Sequence, residues 1–219
     1  MNTKTASTKR RSKESLSKDR IELAALETIE QIGLADFSMR KLGKKLDCEP
    51  MSLYHYFANK TELFDALVDR LINTFRFPEF DSSGPKLVCG LAHEWRKMAL
   101  SYPKFFPFLA LHRLNSEAGV SFLNKILESL LSLGLEPETA SRFFRVVNYY
   151  LIGAALDETS GYSKGGGSLK PVDDTQIAEN YPALAAGSEW FSEEHFQSTF
   201  EFGLQLLLGE RKIELSVRK

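Results

Sequence analysis

The sequence predicts an all-α protein, and three observations carry that expectation. Apolar residues recur at the three- and four-residue spacing of amphipathic helices through most of the 219 residues. Nothing alternates with a period of two for long enough to form a strand. Helix-starting and helix-stopping residues also stand at the edges of the periodic runs.

Residues 1–17 are rich in Ser, Thr, Lys and Arg, lack periodicity, and read as a disordered basic arm. From Lys18 the positions of Ile21, Leu23, Ala24, Ala25, Ile29 and Ile32 describe a helix that Gly33 ends. Ser38 is a good cap for a second helix running to about Leu46. In the short "DCE" turn that follows, Asp47 takes the left-handed conformation usually given to Gly. Pro50 then opens a third helix, at the position where its missing N–H costs nothing. "NKTE" at 59–62 is a capping box for a fourth helix reaching about Phe75.

"RFPEFDSSGP" breaks the pattern, so an N-terminal domain is placed at 18–76 and a second helical domain at 84–213. In the second, helices are expected at about 85–102, 104–113, 117–133, 137–160 and 192–211. A weaker helix is expected at 173–180 or 182–187. A Gly-rich connection containing "KGGGS" lies before Trp190 and lacks the spacing of a phosphate-binding loop.

Composition bounds the function classes. Residues 1–60 carry 12 Lys+Arg against 8 Asp+Glu, and the remainder 16 against 21, so an anionic partner suits the N-terminal part only. Cys48 and Cys89 have neither disulfide-framework nor zinc-ligand spacing. The N-terminus shows no apolar secretion segment, and the longest near-apolar run, Val146 to Leu156, is too short to span a bilayer. No membrane association is expected, and the cytoplasm is the default compartment. There is no nucleophile–base constellation, metal-spaced cluster or phosphate loop, so no catalysis, metal or cofactor is expected.

The informative stretch is "PMSLYHYF" at 50–57. At 100° per residue, Leu53, Tyr56 and Phe57 share one side while Met51, Ser52 and His55 lie opposite, with Pro50 and Tyr54 at the flanks. A helix this short cannot bury Tyr54, His55 and Tyr56 together. Two helices joined by three residues form a helix-turn-helix, whose second member enters the DNA major groove. An aromatic core stripe is the competing account, and Tyr56 fits either.

Residues 25–71 resemble the DNA-binding domain of the TetR family of bacterial regulators. The resemblance rests on an aromatic before "SMRKL", then "LYHYF", then "NKTEL". Asp47 stands where the family usually has Gly, and Glu49-Pro50 replaces a commoner Ser or Thr cap. The resemblance implies DNA contacts by Ser38, Arg40, Pro50, Met51, Ser52, Tyr54, His55, Tyr56 and Lys60. Arg40 would reach a guanine edge or a phosphate, and Met51 a thymine methyl. Lys60 would bind phosphate at a helix N-terminus. Lys9, Arg10, Arg11 and Lys13 suit a neighbouring minor groove or a solubilising tail equally.

The helix of 137–160 is apolar nearly all round after Arg145, so one face lines its own core and another, with Gly153, Ala154 and Ala155, meets a partner subunit. The last helix shows the same excess through Phe196, Phe200, Leu204, Leu207 and Leu208. A homodimer with a four-helix interface is expected. Residues 85–211 resemble, more loosely, the ligand-binding domain of the tetracycline-repressor class. Leu109 replaces that class's metal-binding His, His112 falls at a Thr and Asp157 at a Glu, which argues against a magnesium–tetracycline effector. An apolar and aromatic pocket is expected, lined by some of Trp95, Phe105, Phe108, His112, Phe143, Val147, Tyr150 and Asp157. The leading expectation is a regulator, a repressor, that binds double-stranded palindromic operator DNA as a homodimer and is released by a small-molecule effector. The rivals are a helical enzyme or ligand carrier, and an activator or architectural DNA-binder.

Overall fold

A computed structural model describes residues 15–78, 84–160 and 169–211. The described residues contain helices and turns and no strand. The arm through residue 14 and the "KGGGS" segment lie outside them.

Four helices make the N-terminal head: α1 (Lys18–Ile32), α2 (Met39–Leu46), α3 (Pro50–Tyr54) and α4 (Lys60–Asn73). Their ends follow the local chemistry. Ser17, Ser38 and Asn59 each accept a hydrogen bond from a backbone N–H three residues on. Gly33 closes α1 at φ +82°, and Asp47 closes α2 in the left-handed region at φ +52°. The Glu62 carboxylate reaches back to the N–H of Ala58, one residue before the cap, at 2.6 Å. Gly43 is there because α3 starts so close: a Cβ would stand 2.9 Å from the Cys48 carbonyl.

The head's apolar side chains converge. Ile21, Ala25, Ile29, Leu42, Leu53, Leu63 and Leu67 are fully buried, and Phe57 is 2% exposed. Burial of one such Leu or Ile contributes about 1.5–3 kcal/mol. This packing holds α3, which is far too short to persist alone.

The body comprises α5 (Gly84–Ser101), α6 (Phe106–Leu111), α7 (Glu117–Leu131), α8 (Pro137–Ser160), α9 (Asp174–Asn180), α10 (Pro182–Gly187) and α11 (Phe196–Leu207). Both stretches named as alternatives for the weaker helix are helical, as separate elements. The final helix starts at Phe196, four residues later than the expected 192, because residues 188–195 form two short 3₁₀ turns. Helix α8 packs on α5, α7 and α11. Arg96 of α5 donates to both oxygens of the buried Glu158 carboxylate on α8 at 2.9 Å, so each of these two charges has its partner.

Head and body share one buried cluster. Phe64 of α4 makes edge contacts with Phe105 and Phe108, at centroid distances of 5.9 and 5.2 Å. The Glu30 carboxylate accepts from the backbone N–H groups of Lys104 and Phe105. Ser116, the cap of α7, donates to Asp69 of α4 at 2.6 Å. Movement of the body around α6 therefore bears on α4.

Candidate functional site

The outward surface of α2 and α3 has the division that residue spacing predicts. Leu53 and Phe57 face inward, Tyr56 is half-buried, and Tyr54 and His55 are exposed. Met51 is 71% exposed, a position no soluble core explains. Arg40 is exposed on α2, while Pro50 and Ser52 are half-exposed at the start of α3. A cation, a thioether, a phenol and an imidazole thus stand on one rigid surface, a set able to meet base edges, thymine methyls and phosphates.

Among the described residues, the side chains of Ser38, Lys60 and Tyr56, all expected on that surface, bond to other groups of the protein. The Ser38 hydroxyl accepts from the Lys41 N–H at 3.3 Å. Lys60 donates to the Phe37 carbonyl at 3.2 Å and stands over the Phe37 and Phe64 rings, tying the start of α4 to the entry of α2. The Tyr56 hydroxyl donates to the Leu16 carbonyl at 2.7 Å.

The body holds a partly open cavity of about 220 Å³ between α5, α6, α7 and α8. Of the eight expected lining residues, Trp95, His112, Phe143 and Val147 are on its wall. The other four are not. Phe105 is fully buried beneath α4, and Phe108 turns to Phe64 on the far side of α6. Tyr150 points to α11, where its hydroxyl donates to the Phe200 carbonyl at 2.8 Å; burial first, then Glu158 and Glu201, push its pKa up to about 12. Asp157 is exposed on α8. Since His112 and Asp157 do not share the cavity and Leu109 contributes only carbon to its wall, a metal–drug chelate does not fit these side chains.

Sequence reasoning missed Phe144, Asn148 and Leu151, which with Phe143 and Val147 form the α8 wall. Their spacing of three and four residues is the signal that finds them. The wall is apolar except for His112, Asn148 and the indole of Trp95. Among the described residues, Trp95 Nε1 is the buried side-chain polar atom left without a hydrogen-bond partner. No group of three His, Cys, Asp or Glu among the described residues is placed to hold a metal, and no described helix is long and apolar enough to cross a membrane.

A third surface lies on α8 and α11. Val146 and Tyr149 are 48% and 59% exposed, and a Cβ added at Gly153 would meet nothing within 4 Å. Phe202 is exposed on α11. Ala155, expected on the face toward a partner subunit, instead lies in the protein's own core at 1% exposure, as do Phe200 and Leu204 of the apolar last helix at 2% and 1%. They sit on the inner sides of α8 and α11, where those helices pack on α5 and on each other.

A helix-turn-helix head braced by α4 against a hollow helical body defines a DNA-binding regulator that responds to a ligand. Residues 22–67 match the family model of bacterial regulatory proteins, tetR family, and residues 86–209 match that of the tetracyclin repressor-like C-terminal domain. The chain belongs to the TetR family and is a ligand-responsive, DNA-binding transcriptional repressor by that membership. It is 27% identical over 199 residues to the class A tetracycline repressor protein from transposon 1721 of Escherichia coli, covering 89% of this chain and 90% of that one. An HTH-type transcriptional repressor of Mycobacterium tuberculosis is 28% identical over 239 residues, covering 99% of this chain and 88% of its own. The crystal structure of a possible TetR family transcriptional regulator from Streptomyces coelicolor A3(2) is 26% identical, covers 89% of this chain and 98% of that one, and superposes with a TM-score of 0.73.

Proposed function

We propose that this repressor binds a palindromic operator as a homodimer and is released when an apolar, aromatic small molecule enters the cavity. The head (18–76) reads DNA through Arg40, Pro50, Met51, Ser52, Tyr54 and His55, with Ser38, Tyr56 and Lys60 holding that surface in shape. The body (84–213) binds the effector and the partner subunit.

One observation carries the coupling. His112 is on the cavity wall, and its Nε2 is also 3.5 Å from the Asp65 carboxylate of α4. Its ring packs on Phe108, which in turn contacts Phe64 of α4. An effector that claims His112 changes what holds α4, and α4 carries the head. The effector needs differential affinity for the two arrangements, because equal affinity shifts nothing. Reversing a 99:1 bias takes about 10⁴-fold.

The cavity's chemistry sets the effector class. Carbon lines most of it, while His112 and Asn148 offer polar contacts and Trp95 an unused donor. A planar aromatic molecule with a carbonyl or hydroxyl acceptor suits that wall.

The test uses a palindromic duplex selected from random DNA by the full-length protein, and a panel of polycyclic aromatic ketones and phenols. Compounds that release the duplex should lose that effect on Val147→Trp, which fills the cavity, while duplex affinity stays within about threefold. Release of the variant at unchanged concentrations would place the effector elsewhere. For the dimer, Tyr149→Glu puts charge on the outward face of α8 and should give a monomer in sedimentation velocity. A persisting dimer would remove α8 from the interface.

A further inference from the structure

We propose that Asn148 is the specificity-determining residue of the cavity, and that the effector presents to it a hydrogen-bond donor beside an acceptor, as a lactam, an imide or a carboxamide does. This rests on the reading of the cavity as the effector site, and it narrows the class of molecule which that site takes.

Asn is a poor helix former, because its side chain competes for backbone groups in non-helical conformations. Asn148 nevertheless sits in the middle of the 24-residue α8. Phe144, one turn before it, and Leu151, one turn after, line the cavity beside it. Polar residues inside the other helices find partners close by. Thr28 and Ser129 each donate to the carbonyl four residues back, and Asn124 of α7 donates to Glu128 at 2.8 Å. Among the described residues, the Asn148 side chain bonds to no protein group. Folding therefore does not explain this side chain, since Leu or Ala would serve α8 better.

A partner subunit does not explain it either. Tyr149 and Gly153, on the outward face of α8, stand about 100° and 140° round the helix from Asn148. The other two polar side chains of the cavity wall offer less to a ligand. The Trp95 indole can only donate, and one nitrogen of His112 faces Asp65 at 3.5 Å. Of the three, Asn148 presents donor and acceptor side by side, the pattern with which an amide reads the edge of adenine. Among carbon neighbours both bonds gain strength, and a ligand that fails to make them strands the amide. A hydrocarbon of the right shape is thus turned away by what it lacks.

The experiment measures binding of two matched trios to the full chain by fluorescence titration, without DNA. One trio is phenanthridinone, N-methylphenanthridinone and phenanthrene; the other is carbostyril, N-methylcarbostyril and naphthalene. Within each trio the ring frame is kept while the edge loses first its donor and then its acceptor. In at least one frame the lactam should bind about 10–100-fold more tightly than both companions. Asn148→Leu, close in volume, should weaken lactam binding about 10–100-fold while the hydrocarbon binds as well or better. Asn148→Ala should erase the preference too. Both replacements favour helix more than Asn does, so the folding midpoint should not fall.

A preference below about threefold in both frames, or no binding of either lactam, would overturn the assignment of Asn148. So would a preference that survives either substitution. Binding that is unchanged in Val147→Trp would put the compounds outside the cavity, and the reading of the cavity as the effector site would fall instead.

Discussion

The head and the body use the same apolar residues to opposite ends. In the head they close on one another: Leu53, sole anchor of a five-residue helix, is fully buried, and everything polar or exposed on α3 faces outward. In the body the packing stops short. A cavity stays open between α5, α6, α7 and α8, the outer face of α8 keeps Val146 and Tyr149 exposed, and α9 and α10 bury no residue at all. The head recognises with side chains held on a filled frame, and the body recognises with unfilled space. Rigidity is useful where a groove must be met in register; room is useful where a ligand must shift a population.

Matched truncations test that difference most strongly. Leu53→Ala should destabilise the full chain by about 2–5 kcal/mol in urea unfolding, because a new void opens in a closed core. Ile126→Ala borders space that is already empty and should cost about 1–2 kcal/mol. Equal costs would mean that the body is packed as tightly as the head. Next in size is Gly43→Ala, whose Cβ would press on the Cys48 carbonyl and Pro50 backbone. A loss of about 1–3 kcal/mol is expected, with weaker operator binding, since α3 must move relative to α2. The smallest effect belongs to Asp47→Gly. Relief of the left-handed backbone is offset by the unfolded-state entropy of Gly, so stability should change by less than about 1 kcal/mol. A larger change would show that the Asp47 side chain matters to the turn.

The same contrast explains what the sequence made legible. In the head, caps and periodicity are local signals, and Ser38, Asp47, Pro50 and Asn59 each occupy the place that their chemistry predicts. The outward set of Met51, Tyr54 and His55 followed from 100° steps on a helix too short to bury them. What stayed hidden there was long-range: no local rule brings Tyr56 to Leu16 or Lys60 to Phe37. In the body, helices were legible but the cavity was not. Phe105, Phe108 and Phe143 are the same residue type on neighbouring elements, and only packing decides which of them faces a void. Tyr150 turns to α11 because Gly203 leaves room for its ring there, a fact carried by a residue 53 positions away.

The reading surface of α2 and α3 is the centre of this account, and one measurement addresses it directly: affinity of the double variant Arg40→Ala/Met51→Ala for the selected palindrome and for a scrambled duplex. Both side chains are exposed, so the folding midpoint should stay the same. The palindrome should then bind about 100-fold more weakly, approaching the scrambled duplex, since each base contact carries about 1–3 kcal/mol of discrimination. Undiminished preference for the palindrome in a folded variant would contradict the account.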